Sequence, residues 1–156
     1  DMVRPGIALY GGNPTPHTDN PMQPVIKLTA RILQVREIPK GQSVGYGASW
    51  VAERPSRIAT LGLGYADGFL RTGSNSGHVS FGSLKAPLVG RISMDLTGVD
   101  VTDIAPEACR PGDQIEIIGP NRDLDGAATD HQTINYEMLT SLGNRYRRVY
   151  ETATAA

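Results

Sequence analysis

The chain has one cysteine, Cys109, among 156 residues. No internal disulfide can form, so burial must hold the fold together, which is the habit of proteins in a reducing compartment. No apolar run approaches the roughly 20 residues that cross a bilayer. The start, Asp1-Met2-Val3-Arg4-Pro5, lacks the form of a signal peptide. Both absences lead to the expectation of a soluble, cytoplasmic protein with no membrane partner. A charge surplus is missing as well: 15 basic and 16 acidic side chains leave a net −1, which argues against nucleic acid as a partner. What abounds is glycine and proline, 18 and 11 residues, nearly a fifth of the chain against about 12% on average. Such a composition predicts a turn-rich, mainly β domain, and the length suits one compact core.

Residues 11–24 hold Gly11, Gly12, Pro14, Pro16, Pro21 and Pro24, a density that prevents regular structure and reads as a linker. From Ile26 the apolar residues fall on even positions, through Leu28, Ala30 and Ile32, and then switch to odd at Leu33 and Val35. Period two is a half-buried strand, and a one-residue slip in phase is a β-bulge of the kind that bends strands at barrel corners. Further strands are expected at 57–63, 78–81, 84–89, 96–101 and 114–118, with turns at Gly82-Ser83 and Pro111-Gly112-Asp113. One short helix is expected at 135–142: Thr133 or Asn135 as N-cap, Met138, Leu139 and Leu142 as its apolar face, Gly143 as a left-handed end. The pattern predicts a small closed, Greek-key-like β barrel with one helix near the C-terminus. Residues 119–129 read as the most mobile loop, and 145–150 as a final extended piece.

His17, His78 and His131 have no partner at metal-ligand spacing, and the Asp123-Asp125-Gly126 stretch lacks the remaining ligands of a calcium loop, so no metal is expected. Gly41-Gln42-Ser43-Val44-Gly45 spells a nucleophile elbow, but it follows Pro39-Lys40 instead of a buried strand, and reads as a turn. More informative are two tyrosines flanked by glycines, in Gly45-Tyr46-Gly47 and Gly64-Tyr65-Ala66-Asp67-Gly68. Glycines there let backbones approach closely and leave the phenols little shielded. Each alone reads as a wet rim tyrosine in a turn; two in one small domain point to a site. In Val89-Gly90-Arg91-Ile92-Ser93-Met94-Asp95 two charges, Arg91 and Asp95, interrupt an apolar stretch, and an ion pair between them would need no function. Arg4-Pro5-Gly6-Ile7 sets two backbone N–H groups beside a guanidinium, a combination suited to a phosphate or an aromatic nitrogen.

Taken in order, these motifs, with Arg4 to Gly11 at the start, resemble the C-terminal portion of the alanine racemase family. The resemblance implies a pyridoxal-phosphate enzyme interconverting L- and D-alanine, with a larger N-terminal (β/α)₈ domain not in this chain. It implies a head-to-tail homodimer in which this domain lends residues to the partner subunit's site. Tyr46 matches the family's catalytic tyrosine, one acid/base of a two-base proton transfer on the substrate's pyridoxal-phosphate aldimine. A free phenol titrates at about 10, so a base role calls for a nearby cation or hydrogen bonds, expected from the other domain. Arg4 matches the arginine facing the pyridine nitrogen, and Gly6 and Ile7 match backbone donors to the cofactor phosphate. Met94 matches a backbone contact to the substrate carboxylate; Tyr65, Arg71, Arg91 and Asp95 match the substrate entrance. A phosphate-contacting tyrosine of the family is replaced at Asn144.

None of Lys27, Lys40 and Lys85 matches the Schiff-base lysine, so the isolated chain is expected to be inactive. On this reading residues 1–23 are the end of the N-terminal domain plus linker, 24–150 the barrel domain and 151–156 a flexible tail. Residues 1–21, deprived of their neighbour, should pack loosely. The competing reading is a noncatalytic barrel used for dimerisation or ligand binding. Arg145, Arg147 and Arg148 form the one basic cluster and read as a solvated or dimer-facing edge.

Overall fold

A computed structural model describes residues 1–15 and 17–151. Pro16 of the linker, and all of the expected tail except Glu151, lie outside the described residues.

The strand with the phase slip is the longest in the molecule, β1 (Leu28–Ile38). Its first half pairs antiparallel with β8 (Gln114–Ile118) and its second half with β4 (Ser56–Leu61). The register against β4 shifts between Ile32 and Gln34, which is the bulge expected from the sequence. Leu33 is the extra residue; it is half exposed and lies over Gly62 instead of pointing inward, while Val35 returns to the core. Three further strands, β5 (His78–Phe81), β6 (Leu84–Pro87) and β7 (Thr97–Asp100), complete a sheet in the order β6-β5-β8-β1-β4-β7. Only β5 and β6 are neighbours both in sequence and in the sheet. A bridge between Leu88 and Val99 joins the two edges, so the sheet nearly closes on itself as a barrel. A short ribbon of β2 (Ser43–Val44) and β3 (Trp50–Val51) stands outside it.

Leu61, Leu63, Ile92, Ile117 and Ile118 fill the barrel and are almost wholly buried. Each contributes about 1.5–3 kcal/mol of burial free energy, the scale that lets so short a set of strands hold without a disulfide. Cys109 belongs to this core, and burial raises its thiol pKa.

Among the described residues two α-helices are present where one was expected. The first, α1 (Leu124–Asp130), replaces the loop read as mobile. Asp123 caps it through Gly126 N–H, and Leu124, Ala127 and Ala128 bury one face. The second, α2 (Asn135–Ser141), sits as expected with Met138 buried and Leu139 and Leu142 against the core. Its caps differ from expectation. Ile134 is the N-cap, Thr133 Oγ1 donates to Glu137 instead, and Asn135 donates to Asp125 Oδ1 at 2.6 Å. Gly143 is not left-handed; its N–H donates to Asp67 O at 3.1 Å. No strand forms at 145–150, although Tyr146 packs on the core.

The N-terminal segment is better packed than expected. Ile7 joins the core, Gly12 sits where a Cβ would strike its side chain, and Asn13 N–H donates to Asp125 Oδ2 at 2.8 Å. Asp125 thus takes one hydrogen bond from this segment and one from α2. Among the described residues no helix is long and apolar enough to cross a membrane.

Candidate active site

The residues singled out in the sequence fall into two groups, and no hydrogen bond or ion pair among the described residues joins one to the other. The first group lies at the start of the chain. Gly6 opens a 3₁₀ turn, Gly6–Tyr10, with φ of 57°, a left-handed backbone that suits glycine. A Cβ there would lie 2.3 Å from the hydroxyl of Tyr136. That hydroxyl, carried by α2, accepts the Ile7 N–H at 3.0 Å. Arg4 is exposed beside them. Tyr136 had no role in the sequence reading; Asn144, where a tyrosine was missed, is exposed, and the hydroxyl that reaches Ile7 comes from eight residues earlier.

The second group rests on a close crossing of two backbones. Gly45 and Gly90 are both left-handed, with φ of 79° and 77°. A Cβ on Gly45 would lie 2.7 Å from Arg91 N, and one on Gly90 would lie 2.7 Å from Val44 O. The crossing sets Tyr46, in the turn Tyr46–Ala48, beside the Arg91 segment. Tyr46 is 72% exposed. The Arg91 guanidinium reaches the same turn, with Nη1 3.2 Å from where a Gly47 Cβ would be. The Arg91 guanidinium therefore lies beside the Tyr46 turn within this chain. Asn75, in the loop that begins at Arg71, braces the crossing: its Oδ1 accepts Gly90 N–H at 2.7 Å and its amide donates to Ser49 O at 3.3 Å.

Tyr65 and Met94 are held together by backbone. Tyr65 N–H donates to Ser93 O at 3.0 Å and Ala66 N–H to Met94 O at 2.9 Å. Gly64 permits this, since a Cβ there would lie 2.3 Å from Met94 O. Met94 and Tyr65 are exposed, and the Met94 N–H has no partner among the described residues. The buried Asp67 carboxylate accepts Gly64 N–H at 2.9 Å. Asp95 does not pair with Arg91. Its Oδ1 takes Arg145 Nη1 at 2.8 Å, and Arg145 Nε lies 3.3 Å from Asp67 Oδ1. Those bonds raise the Arg145 pKa, Asp95 first and the Asp67 charge next. Arg145, which sequence reading placed on a solvated or dimer-facing edge, is half exposed and neighbours the candidate site; no local pattern could have linked it to carboxylates so distant in the chain.

Arg71 stands exposed on the turn Arg71–Gly73, above His131. The wholly buried His131 ring lies edge-on to Phe69, 4.5 Å between centroids, and its Nδ1 is 2.9 Å from Leu70 O. Burial lowers its pKa, helped by the Arg122 charge and opposed by the Leu70 bond and Asp130. A hollow of about 760 Å³ beside Trp50, Arg54 and Asp100 contains none of the candidate residues.

The family described as alanine racemase, C-terminal domain, matches residues 25–150. An alanine racemase of Acidiphilium cryptum is 56% identical over 152 residues, 97% of this chain and 42% of that protein. One of a Methylobacterium is 52% identical over 150 residues, 96% of this chain and 41% of that protein. Among solved structures, the alanine racemase of Bartonella henselae with covalently bound pyridoxal phosphate superposes with a TM-score of 0.88 at 47% identity, covering 94% of this chain and 40% of that one. The chain thus spans about two fifths of the length of these relatives.

Proposed function

The chain belongs to the family of alanine racemase C-terminal domains, and from that premise we propose that it is the part of an alanine racemase that brings a second proton carrier, Tyr46, to the substrate. The observation that carries this reading is the exposed phenol of Tyr46, held on a turn between two left-handed glycines. In this reading residues 1–23 end the N-terminal (β/α)₈ domain and its linker, 24–150 form the barrel domain, and the whole is a cytoplasmic isomerase.

The residues at the first group fit the phosphate of pyridoxal phosphate. The left-handed Gly6 leaves room that the Tyr136 hydroxyl occupies, and that hydroxyl accepts the Ile7 N–H; a phosphate oxygen would take its place as the acceptor once Tyr136 turns aside to donate to it. Gly6, Ile7 and Tyr136 would hold the phosphate, and Arg4 would face the ring nitrogen. The cofactor, when bound through a lysine of the other domain, acidifies the α-proton of the amino acid. A guanidinium does not release its proton, so Arg4 leaves the ring nitrogen unprotonated and limits that withdrawal, favouring return of the proton over side reactions. Tyr46 Oη takes or returns the proton on one face. The free Met94 N–H donates to the substrate carboxylate, while Tyr65, Arg71, Arg91 and Asp95 line the entrance. In this reading a head-to-tail homodimer supplies each active site with one group from each subunit.

The test is α-proton exchange and racemisation of L- and D-alanine by the full-length protein with and without Tyr46→Phe. Net racemisation should vanish while exchange from one enantiomer persists. If both enantiomers interconvert at the parent rate, Tyr46 is structural and the reading fails. The isolated chain supplied with pyridoxal phosphate should racemise nothing.

A further inference from the structure

We propose that Arg145 is a positioning residue of the site, acting on the Tyr65 and Met94 wall through Asp67 and Asp95. The inference rests on the reading of Met94 as the carboxylate contact.

Three stretches of chain meet at this guanidinium. Asp67 spends one carboxylate oxygen on Gly64 N–H and offers the other to Arg145 Nε; Asp95 offers its own to Nη1. Arg145 therefore spans two carboxylates that would otherwise face each other across the mouth of the site. A planar fork can serve both at once, and an ammonium cannot in the same geometry. Tyr146, packed on the core, fixes the side from which Arg145 approaches. Gly143 N–H on Asp67 O ties the stretch down from behind.

Arg145 and Asp95 are both about half exposed, so the pair adds little to folding stability. Its effect is on placement. Tyr65 N–H and Ala66 N–H are the two rungs that lock the Gly64 turn to Ser93 and Met94. With Arg145 removed, Asp67 and Asp95 repel, the bend at Met94 shifts outward, and an arriving substrate carboxylate meets two uncompensated negative charges. Such a change weakens binding of substrate more than it slows proton transfer.

The experiment uses the full-length enzyme carrying this chain. Arg145→Gln should raise KM for alanine about tenfold with kcat within threefold, and amide hydrogen exchange at Tyr65 and Ala66 should accelerate at least fivefold while that at Ile115 and Ile117 stays unchanged. Arg145→Lys should recover part of both losses and serves where the glutamine variant does not fold. Asp95→Asn added to Arg145→Gln should recover part of the KM loss, since one of the two uncompensated charges is then gone, and a double variant no better than Arg145→Gln would overturn the repulsion argument. An unchanged KM overturns the proposal whether or not the melting temperature drops, because the role is then structural. A raised KM with unchanged exchange also overturns it, because Arg145 then touches substrate itself. Tyr46→Phe made in parallel separates the two claims: full racemisation by that variant sinks the reading of the site, independently of the Arg145 results.

Discussion

At the Gly6–Ile7 end the chain closes on itself: a left-handed glycine, an amide and the Tyr136 hydroxyl meet within 3.0 Å, and Ile7 anchors them in the core. At the Tyr46 end glycines again do the shaping, yet Tyr46, Tyr65 and Met94 all point away from the molecule. The difference teaches that a glycine-built crossing can either receive a group or deliver one. Where it receives, donors converge and are partly satisfied from within. Where it would deliver, the crossing backbone is paired except at the Met94 N–H, and the side chains stand exposed.

The joint between the two ends is Gly68. It is left-handed, with φ of 88°, and a Cβ there would lie 1.8 Å from Ser141 O at the end of α2, the helix that carries Tyr136. Gly68→Ala should destabilise the fold by about 3 kcal/mol or more, read from urea midpoints. Gly82→Ala, equally left-handed but in open space, should cost only about 1 kcal/mol. Equal costs would mean that the two ends are not joined there.

Acid should reach the outward end from beneath. His131 and His78 both have lowered pKa values, burial being the largest cause in each. Folded histidines that titrate below the unfolded value of about 6.5 leave the unfolded chain to bind protons first. Their stability is therefore present above about pH 6.5 and is lost as pH falls, at up to about 1.4 kcal/mol per pH unit for each. Unfolding followed between pH 7.5 and 5 should show that slope, and hydrogen exchange should rise first near Leu70, whose carbonyl His131 holds. A flat profile would detach His131 from the entrance loop.

Smaller still is the effect of Tyr136→Phe, which strips the Ile7 amide of its acceptor in a partly buried place. About 1 kcal/mol and faster exchange at Ile7 are expected. No change in either would mean that the inward end is as open as the outward one. As a floor, Arg54→Ala removes an exposed ion pair with Asp103 and should leave the melting curve where it was.

The barrel was legible because alternation is the direct imprint of one-sided burial. β5 and β8 have the bounds read from the sequence, and the change of parity at Ile32 and Leu33 reported the bulge. The helix α1 was missed because Asp125, Gly126 and Asp130 look like a polar loop, although a capping Asp123 followed by apolar Leu124, Ala127 and Ala128 at helical spacing was available. The capping errors around α2 have one source: Thr133 and Asn135 had competing partners, Glu137 and Asp125, and local propensity cannot see a competitor brought by tertiary packing. In the candidate site, the glycine-flanked tyrosines were legible as a motif, whereas Tyr136 and Arg145 enter through contacts that no short window contains.

Leu33 has a consequence for the shape of the whole. Because it is one residue too many, Val35 occupies the inward position that regular alternation from Ile32 would have given to residue 34. Deleting Leu33 would leave every inward side chain on its own face and remove only the bend. The seam between Leu88 and Val99 would then part with its apolar content intact. The bend of β1 at this point is thus set by arithmetic, through one supernumerary residue that follows a first shift of register at Leu28 and Thr29 against β8.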